Sequence, residues 1–373
     1  LFKWTFITPL LASPHHPKRL YSSAEYLFRS DDRGDTCLKV SPDLTRQIDR
    51  NKLEVMWRVW GVDTIAKNDS TSMYGAAIMI SESELQEGLI YVGTDDGVIN
   101  ITEDGGESWS QTTRFAGVPD MTYVDDVQAS MHDVNVVYAV MENHKRGDNK
   151  PYVLKSTNKG KSWKSIASNL PTNGFAHTIA EDHIDPNLLF LGTEQGVFVT
   201  QNGGKSWSQM RNNLPTIAVR DIEIQRRQND LVVATFGRGI YIVDDYSPLR
   251  TQTRDLGAFQ LFAPRDPWLF IEGDVWGGVE KGSIGHAFFT APNPEFGAVF
   301  RYYVKDGSKT KKQIRRAAEI AIENEGGDTP YPSWDALRAE DSERGDALHI
   351  LVRAVNGQLV RQISAKSGGG LPQ

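Results

Sequence analysis

The chain has 373 residues, 39% of them hydrophobic, and carries a formal net charge of −7. That length predicts two domains rather than one, and the mild acidity gives no electrostatic footprint for nucleic acid. The single cysteine, Cys37, excludes an intrachain disulfide, and no apolar run reaches the roughly 18 residues of a membrane-spanning helix. Leu1-Phe2-Lys3-Trp4 has neither the apolar run nor the cleavage site of a signal peptide. With no initiator methionine, the chain is expected to be a fragment of a longer protein, and any targeting signal is expected in the missing part.

From the first residues the chain reads as a series of related units. Unit one covers about residues 4–42, with strands expected at Phe6 to Leu11, after the Pro-rich turn Ser13 to Tyr21, at Tyr26 to Arg29 and at Thr36 to Val40. Residues 43–73 break the rhythm and read as a long insertion over one face, with the aromatic run Val55 to Trp60 inside it. Trp57 and Trp60 either pin this loop down or form a binding surface. Unit two covers about 74–113, unit three 121–167 with a loop at Glu142 to Pro151, unit four 174–211 and unit five 216–262. In the fifth, Val219 to Ile224 alternates apolar and polar residues, but no Trp-bearing turn follows.

A turn of pattern [S/T]-x-[D/N]-x-G-x-x-[W/C] recurs: Ser30-Asp32-Gly34-Cys37, Thr102-Asp104-Gly106-Trp109, Ser156-Asn158-Gly160-Trp163 and Thr200-Asn202-Gly204-Trp207. An Asp or Asn can accept hydrogen bonds from the turn's own N–H groups, Gly supplies the positive φ, and Trp can plug the space beneath. Asn at two of the four positions carries no charge for acid–base work, so the turn is read as structural. Cys37 is expected to be a small buried hydrophobe in the place of Trp. Units of 40–50 residues with three or four short strands cannot bury both faces alone, and stacking them radially can. The fold expected is all-β: a β-propeller over 1–262, its five blades the last of a larger ring, seven-bladed or bigger.

The repeated turn resembles the Asp-box, or BNR repeat, of sialidases, two-propeller xyloglucanases and the sortilin ectodomain. Together with SPHHPKRLY, FRSDDRGDT, YVGTDDG, YVLKSTNKGKSW, LPTIAVRDI and ATFGRGIYIVDDYSPLR, it resembles bacterial proteins described as BNR-repeat glycosyl hydrolases or as having a sortilin N-terminal (VPS10-like) domain. The resemblance covers about residues 4–250. It implies an exported, multidomain bacterial protein that is secreted, periplasmic or on the cell surface, whose hydrolase label rests mostly on a structural turn.

A sialidase-like site needs three arginines, a Tyr-Glu pair and an acid Asp. Arg220 and Arg238 could serve the clamp, but no third arginine stands out and the arginine-bearing FRIP-type segment is absent. A xyloglucanase-like site needs two carboxylates across a cleft. Asp125, Asp126, Asp182 and Asp221 occur near the inner strands of successive blades, a placement that equally suits residues lining a water-filled channel. His177 and His183 flank Asp182 and would share a face of a strand, without metal-site spacing. No metal or other cofactor is expected; calcium is conceivable at Thr94 to Gly97, a loop short of oxygen ligands by itself. Substitution of Asp95 or Asp96 is expected to cost little.

After Arg250 the character changes. Strands are expected at Phe296 to Val304, Leu348 to Ala354 and Gln358 to Ile363, the last two joined by the turn signal Asn356-Gly357. Residues 263–373 read as a partial immunoglobulin- or fibronectin-like sandwich with a helical insertion at 308–345. The function expected is a non-catalytic binding or scaffold propeller engaging a protein or glycan, with Trp57, Trp60, Arg220 and Arg238 as candidate contacts. The alternatives are a glycoside hydrolase using the four aspartates and a purely structural part of a larger assembly.

Overall fold

The computed structural model describes residues 2–65, 74–211, 213–251, 256–273, 293, 295–305, 309–343 and 347–366. The end of the expected insertion (66–73), the last residues of the expected helical insertion and the Gly-rich tail lie outside these. The chain divides into two compact units, Leu1–Arg250 and Thr251–Gln373.

Among its described residues the first unit is a succession of antiparallel meanders, that is, propeller blades. Blade one contains β1 (Leu10–Ala12), β2 (Leu20–Ser23), β3 (Leu27–Ser30) and β4 (Leu38–Lys39). A two-stranded hairpin, β5 (Glu54–Val55) and β6 (Arg58–Val59), rises from the insertion. Blade two contains β7 (Ala77–Glu82), β8 (Ile90–Thr94), β9 (Ile99–Thr102) and β10 (Ser110–Thr112). Blade three contains β11 (Tyr123–Ala129), β12 (Val137–Asn143), β13 (Asp148–Ser156) and β14 (Lys164–Ser165). Blade four contains β15 (Ala176–Glu181), β16 (Leu189–Thr193), β17 (Gly196–Thr200) and β18 (Ser208–Gln209), and blade five has three strands, β19 (Val219–Gln225), β20 (Asp230–Thr235) and β21 (Ile240–Val243).

The core is divided into slices, one between each consecutive pair of blades. Tyr21, Leu27 and Leu44 meet Ile80, Ile90 and Val92; Tyr91 and Ile101 meet Val124, Val137 and Trp163; Tyr138 and Val153 meet Ile179, Leu191 and Trp207; Phe190 and Val197 meet Ile222, Val233 and Tyr246. Each blade thus buries both faces only through its neighbours, which is why its strands β8, β12 and β16 are apolar on both sides.

The repeated turn sits between the third and fourth strand of a blade and works as its residues suggest. In blade two Thr102 Oγ1 donates to Asp104 Oδ1 (2.7 Å) and accepts from Gly106 N (2.9 Å), while Asp104 Oδ1 accepts from Ser108 N (2.9 Å). The Asn versions keep the geometry: Ser162 N donates to Asn158 Oδ1 and Ser206 N to Asn202 Oδ1, both at 2.9 Å. The sequence pattern overlooked one member, the hydroxyl residue just before the Trp. Thr36, Ser108, Ser162 and Ser206 each close the loop with a second bond to the Asp or Asn side chain.

The turn also clasps the preceding blade. Trp109 Nε1 donates to Val40 O (3.3 Å), Trp207 Nε1 to Ile166 O (2.8 Å), and Trp163 packs edge-on against Phe115. A Cβ on Gly106 would fall 2.4 Å from Val40 O, whereas one on Gly34 would meet nothing within 4 Å. That contrast corrects the expectation for Cys37, which is exposed: the first turn has none of this chain's blades on the side where the others bury their Trp.

The second unit has, among its described residues, two strand pairs and two helices. β22 (Phe259–Leu261) pairs with β23 (Tyr302–Val304), and β24 (Ala347–Arg353) with β25 (Leu359–Lys366) around Asn356-Gly357. Between them lie α1 (Lys311–Asn324), opened by a Thr310–Gln313 capping box, and α2 (Trp334–Asp341), capped by Ser333. Arg315 joins the helices by forking onto Glu340 (2.7 and 2.9 Å). The described strands form these two pairs.

Candidate functional site

The first strands of the five blades converge on a central cavity of about 310 Å3. In blades two to five that strand carries a β-bulge at one place: its register slips between Ala77 and Met79, Val124 and Asp126, Ala176 and Thr178, and Val219 and Asp221. The extra residues are Ile78, Asp125, His177 and Arg220. A bulge leaves its extra residue out of the ladder and re-aims the side chain, and in three neighbouring blades those re-aimed side chains meet.

His177 is buried between two carboxylates: Nδ1 lies 2.7 Å from Asp125 Oδ2, and Nε2 lies 2.8 Å from Glu194 Oε1. Arg220 closes the group, with Nη1 3.1 Å from His177 Nδ1 and Nη2 3.5 Å from Glu194 Oε1, and its guanidinium stands 5.4 Å from the exposed ring of Phe236. His177 also packs edge-on against Phe175, whose other partner is His144, stacked at 4.6 Å. Glu142 pairs with His144. The short turn His144–Arg146 between β12 and β13, which replaces most of the loop expected at 142–151, therefore reaches this same end of the blades. So does the start of the long insertion: Arg46 binds Asp120 Oδ1 (2.7 Å) while Arg146 donates to Asp120 O (2.8 Å).

One residue past each bulge the side chains turn into the cavity wall. Asp126 is buried, accepting from Ile179 N (2.9 Å) and Thr178 Oγ1 (3.1 Å), and burial, abetted by Asp125 and Asp221, raises its pKa to about 7. Burial also raises Asp221 and, with help from Asp221, Glu223. These are carboxyl groups held closer to neutrality than in water.

Asp182 belongs elsewhere. It is fully buried just beyond the other end of β15, where Tyr246 Oη donates to it (2.6 Å), Arg250 forks onto it (2.8 and 2.9 Å), and Ile184 N and Asp185 N donate to Oδ2. Burial pushes its pKa up, but these donors outweigh it and hold it at about 2. With its lone pairs occupied, Asp182 is an anchor for the end of blade five. His183 stays with it (3.6 Å) while His177 is five strand residues away, so the shared-face pairing expected of the two histidines brings no common site.

Of the other candidates, Arg238 is exposed between β20 and β21. Trp57 is 91% exposed at the tip of the β5–β6 hairpin, and Trp60 is part-buried at its base, donating from Nε1 to Val55 O (2.8 Å) with Arg58 stacked 3.7 Å over its ring. The expectation that Asp95 and Asp96 matter little is corrected. Asp96 is fully buried and accepts from Thr94 Oγ1 (2.6 Å) and Arg46 N (2.8 Å); Asp95 accepts from Ala76 N (2.8 Å) and Gly75 N (3.1 Å), and burial raises it to about 6. No three His, Cys, Asp or Glu among the described residues lie where they could hold a metal ion, and no described helix is long and apolar enough to cross a membrane.

No protein-family model and no curated protein matches the chain. Among solved structures it is similar to an ancestral GH74 enzyme (14% identity, TM-score 0.47, covering 63% of this chain and 29% of that one). It is similar also to the GH74 xyloglucanase from Xanthomonas campestris (17%, 0.46, 80% and 42%) and to the Swd1 β-propeller domain from Myceliophthora thermophila (10%, 0.43, 63% and 64%). The chain thus spans less than half the length of the two GH74 structures. At these superpositions the likeness carries no argument about activity, which rests on the geometry above.

Proposed function

We propose that the chain is part of a non-catalytic binding propeller, exported from a bacterial cell, that engages a protein or glycan through the face bearing the bulge cluster and the insertion hairpin. The observation that carries this reading is Trp57. It stands 91% exposed at a two-residue turn where both Met56 (φ 52°) and Trp57 (φ 63°) take the left-handed conformation. Such turns favour Asn-Gly, and holding two side-chain-bearing residues there costs on the order of 1 kcal/mol each. Trp60 and Arg58 brace the hairpin beneath it. A large aromatic side chain held on a braced, strained turn suits a binding contact and does nothing for folding.

The polar groups at the cavity mouth support the same reading. Asp125, His177, Glu194 and Arg220 already satisfy one another, and Asp126 is aimed at Thr178 and Ile179 N. The hydrolase reading would need Asp126, held protonated near neutrality, to act as the acid with Asp221 opposite. The exposed Leu10 on the first blade and Ile240 and Ile242 on the last support further blades packing there. The reading makes no use of calcium or another cofactor.

Binding and hydrolysis are separated by one screen of the full-length protein against polysaccharides and surface proteins. Saturable binding without turnover, weakened at least tenfold by Trp57→Ala with an unchanged unfolding midpoint, is expected. Turnover that Asp126→Asn or Asp221→Asn abolishes in a folded protein would replace this reading with a hydrolase.

A further inference from the structure

The two ends of the cavity differ, and the end away from the bulges carries a repeated device. The residue closing the first strand of blade four, Glu181, accepts from Tyr138 Oη (2.9 Å) and Ser130 Oγ (3.0 Å) on one oxygen and from Met131 N (2.8 Å) on the other. Glu82 holds the same place in blade two, since it pairs with Ile90 as Glu181 pairs with Leu189. Its Oε1 faces Tyr21 Oη (3.4 Å) and Gly88 N (3.3 Å). Further repeats fix the equivalence: His132 Nε2 lies 2.7 Å from Asp182 O, and His15 Nε2 lies 2.7 Å from Ser83 O.

One donor is missing from the copy. In the sequence Ser13-Pro14-His15 stands where blade three has Ser130-Met131-His132, and proline has no N–H to give. Glu82 is only 6% exposed, and its Oε2 is buried without a donor in the protein. Both Pro14 and Glu82 line the central cavity. A buried carboxylate oxygen is expensive to leave without a hydrogen bond, so the site has the character of an acceptor awaiting an outside donor.

The rest of the wall gives that donor its charge. Besides Glu82 the cavity is lined by Glu84, Asp126, Glu181, Asp221 and Glu223, against one cation, Arg226, which is already paired with Glu84 (2.8 Å). Calcium takes six to eight oxygens gathered at one point, and no three of the described carboxylates converge in that way. They are spread over the inner strands of several blades. A chain of spaced ammonium groups meets that distribution better than a point ion, because each ammonium brings three donors and needs only local acceptors. We propose that the central cavity binds an organic polycation of the polyamine class, with one ammonium held at the carboxylate of Glu82, whose second oxygen lacks the backbone donor that Met131 N gives to Glu181.

The test is calorimetric titration of the chain with spermidine at fixed ionic strength, using wild type, Glu82→Gln, Pro14→Ala and, as a remote control, Glu103→Gln. Wild type is expected to bind saturably at one site. Glu82→Gln should weaken binding at least tenfold. Pro14→Ala keeps every charge but restores an N–H to Oε2, and should weaken it several-fold; Glu103→Gln should leave it unchanged. Circular dichroism and the unfolding midpoint establish that each variant is folded. Absence of saturable binding would mean that water alone serves Oε2, and the proposal fails. It fails equally if all three variants bind as wild type does, since attraction is then general and not seated at Glu82.

Discussion

Substituting the equivalent tyrosines Tyr91 and Tyr138 by phenylalanine should have opposite effects. Tyr21, Tyr91 and Tyr138 hold one position in the second strands of blades one, two and three, opposite Leu11, Ser81 and Gln128. In the following blade Tyr21 finds Glu82 and Tyr138 finds Glu181, but the matching position for Tyr91 is Ala129, which pairs with Val137 as Glu82 pairs with Ile90. Tyr91 is accordingly fully buried with a hydroxyl that no protein group bonds, and burial raises its pKa above the ordinary tyrosine range. Tyr138→Phe removes a hydrogen bond to a charged acceptor and should cost about 1.5–3 kcal/mol. Tyr91→Phe removes only an unsatisfied hydroxyl and should stabilise by about 1 kcal/mol, the low end of the penalty for such a group. The gap between the variants is then about 2.5–4 kcal/mol, easily read from urea unfolding followed by circular dichroism, with equal m values confirming a common transition. A third variant, Ala129→Glu, should stabilise the protein when Tyr91 is present and should not do so when combined with Tyr91→Phe. If Tyr91→Phe costs as much as Tyr138→Phe, the inter-blade Tyr–Glu pairing is not what distinguishes these positions.

Other consequences can be checked in the same way. Trp207→Ala should cost about 3–5 kcal/mol by urea unfolding, as large core truncations do, because Trp207 is buried against blade three; a midpoint equal to wild type would remove the turn's clasp from the account. Cys37 should react with a thiol reagent in the native protein, and Cys37→Ser should change stability by no more than about 0.5 kcal/mol. Asp126 titrates near 7 in the fold against 3.8 in the unfolded chain, so the unfolded state loses its proton first and stability should fall as pH rises from about 4 to about 7. Asp126→Asn should match wild type near pH 4 and exceed it above pH 7, by at most about 4 kcal/mol at about 1.4 kcal/mol per unit; parallel pH–stability curves for the two proteins would contradict the buried, neutral Asp126.

The blades and their turns were legible because their causes are local. The [S/T]-x-[D/N]-x-G turn closes on its own backbone within five residues, so Thr102, Asp104 and Gly106 carry their explanation in the sequence. Alternation in Asp221 to Ile224 and the apolar runs at Leu188 and Leu89 likewise reveal strands without reference to anything distant. The placement of the carboxylates was not legible in this way. Asp125, His177, Glu194 and Arg220 are scattered over about a hundred residues, and their meeting depends on one bulge per inner strand and on the radial stacking of three blades. The only trace in the sequence is that the extra residue interrupts alternation in Val124-Asp125-Asp126-Val127, Ala176-His177-Thr178-Ile179 and Val219-Arg220-Asp221-Ile222, a signal with meaning only once the strands are aligned. Asp182 shows the converse. Its neighbours in sequence suggested a polar strand end facing the channel, and its role as an anchor was decided by Tyr246 and Arg250, more than sixty residues away. Short-range hydrogen bonds and periodicity are properties of the chain itself, whereas burial and charge environment are set by which blade packs against which.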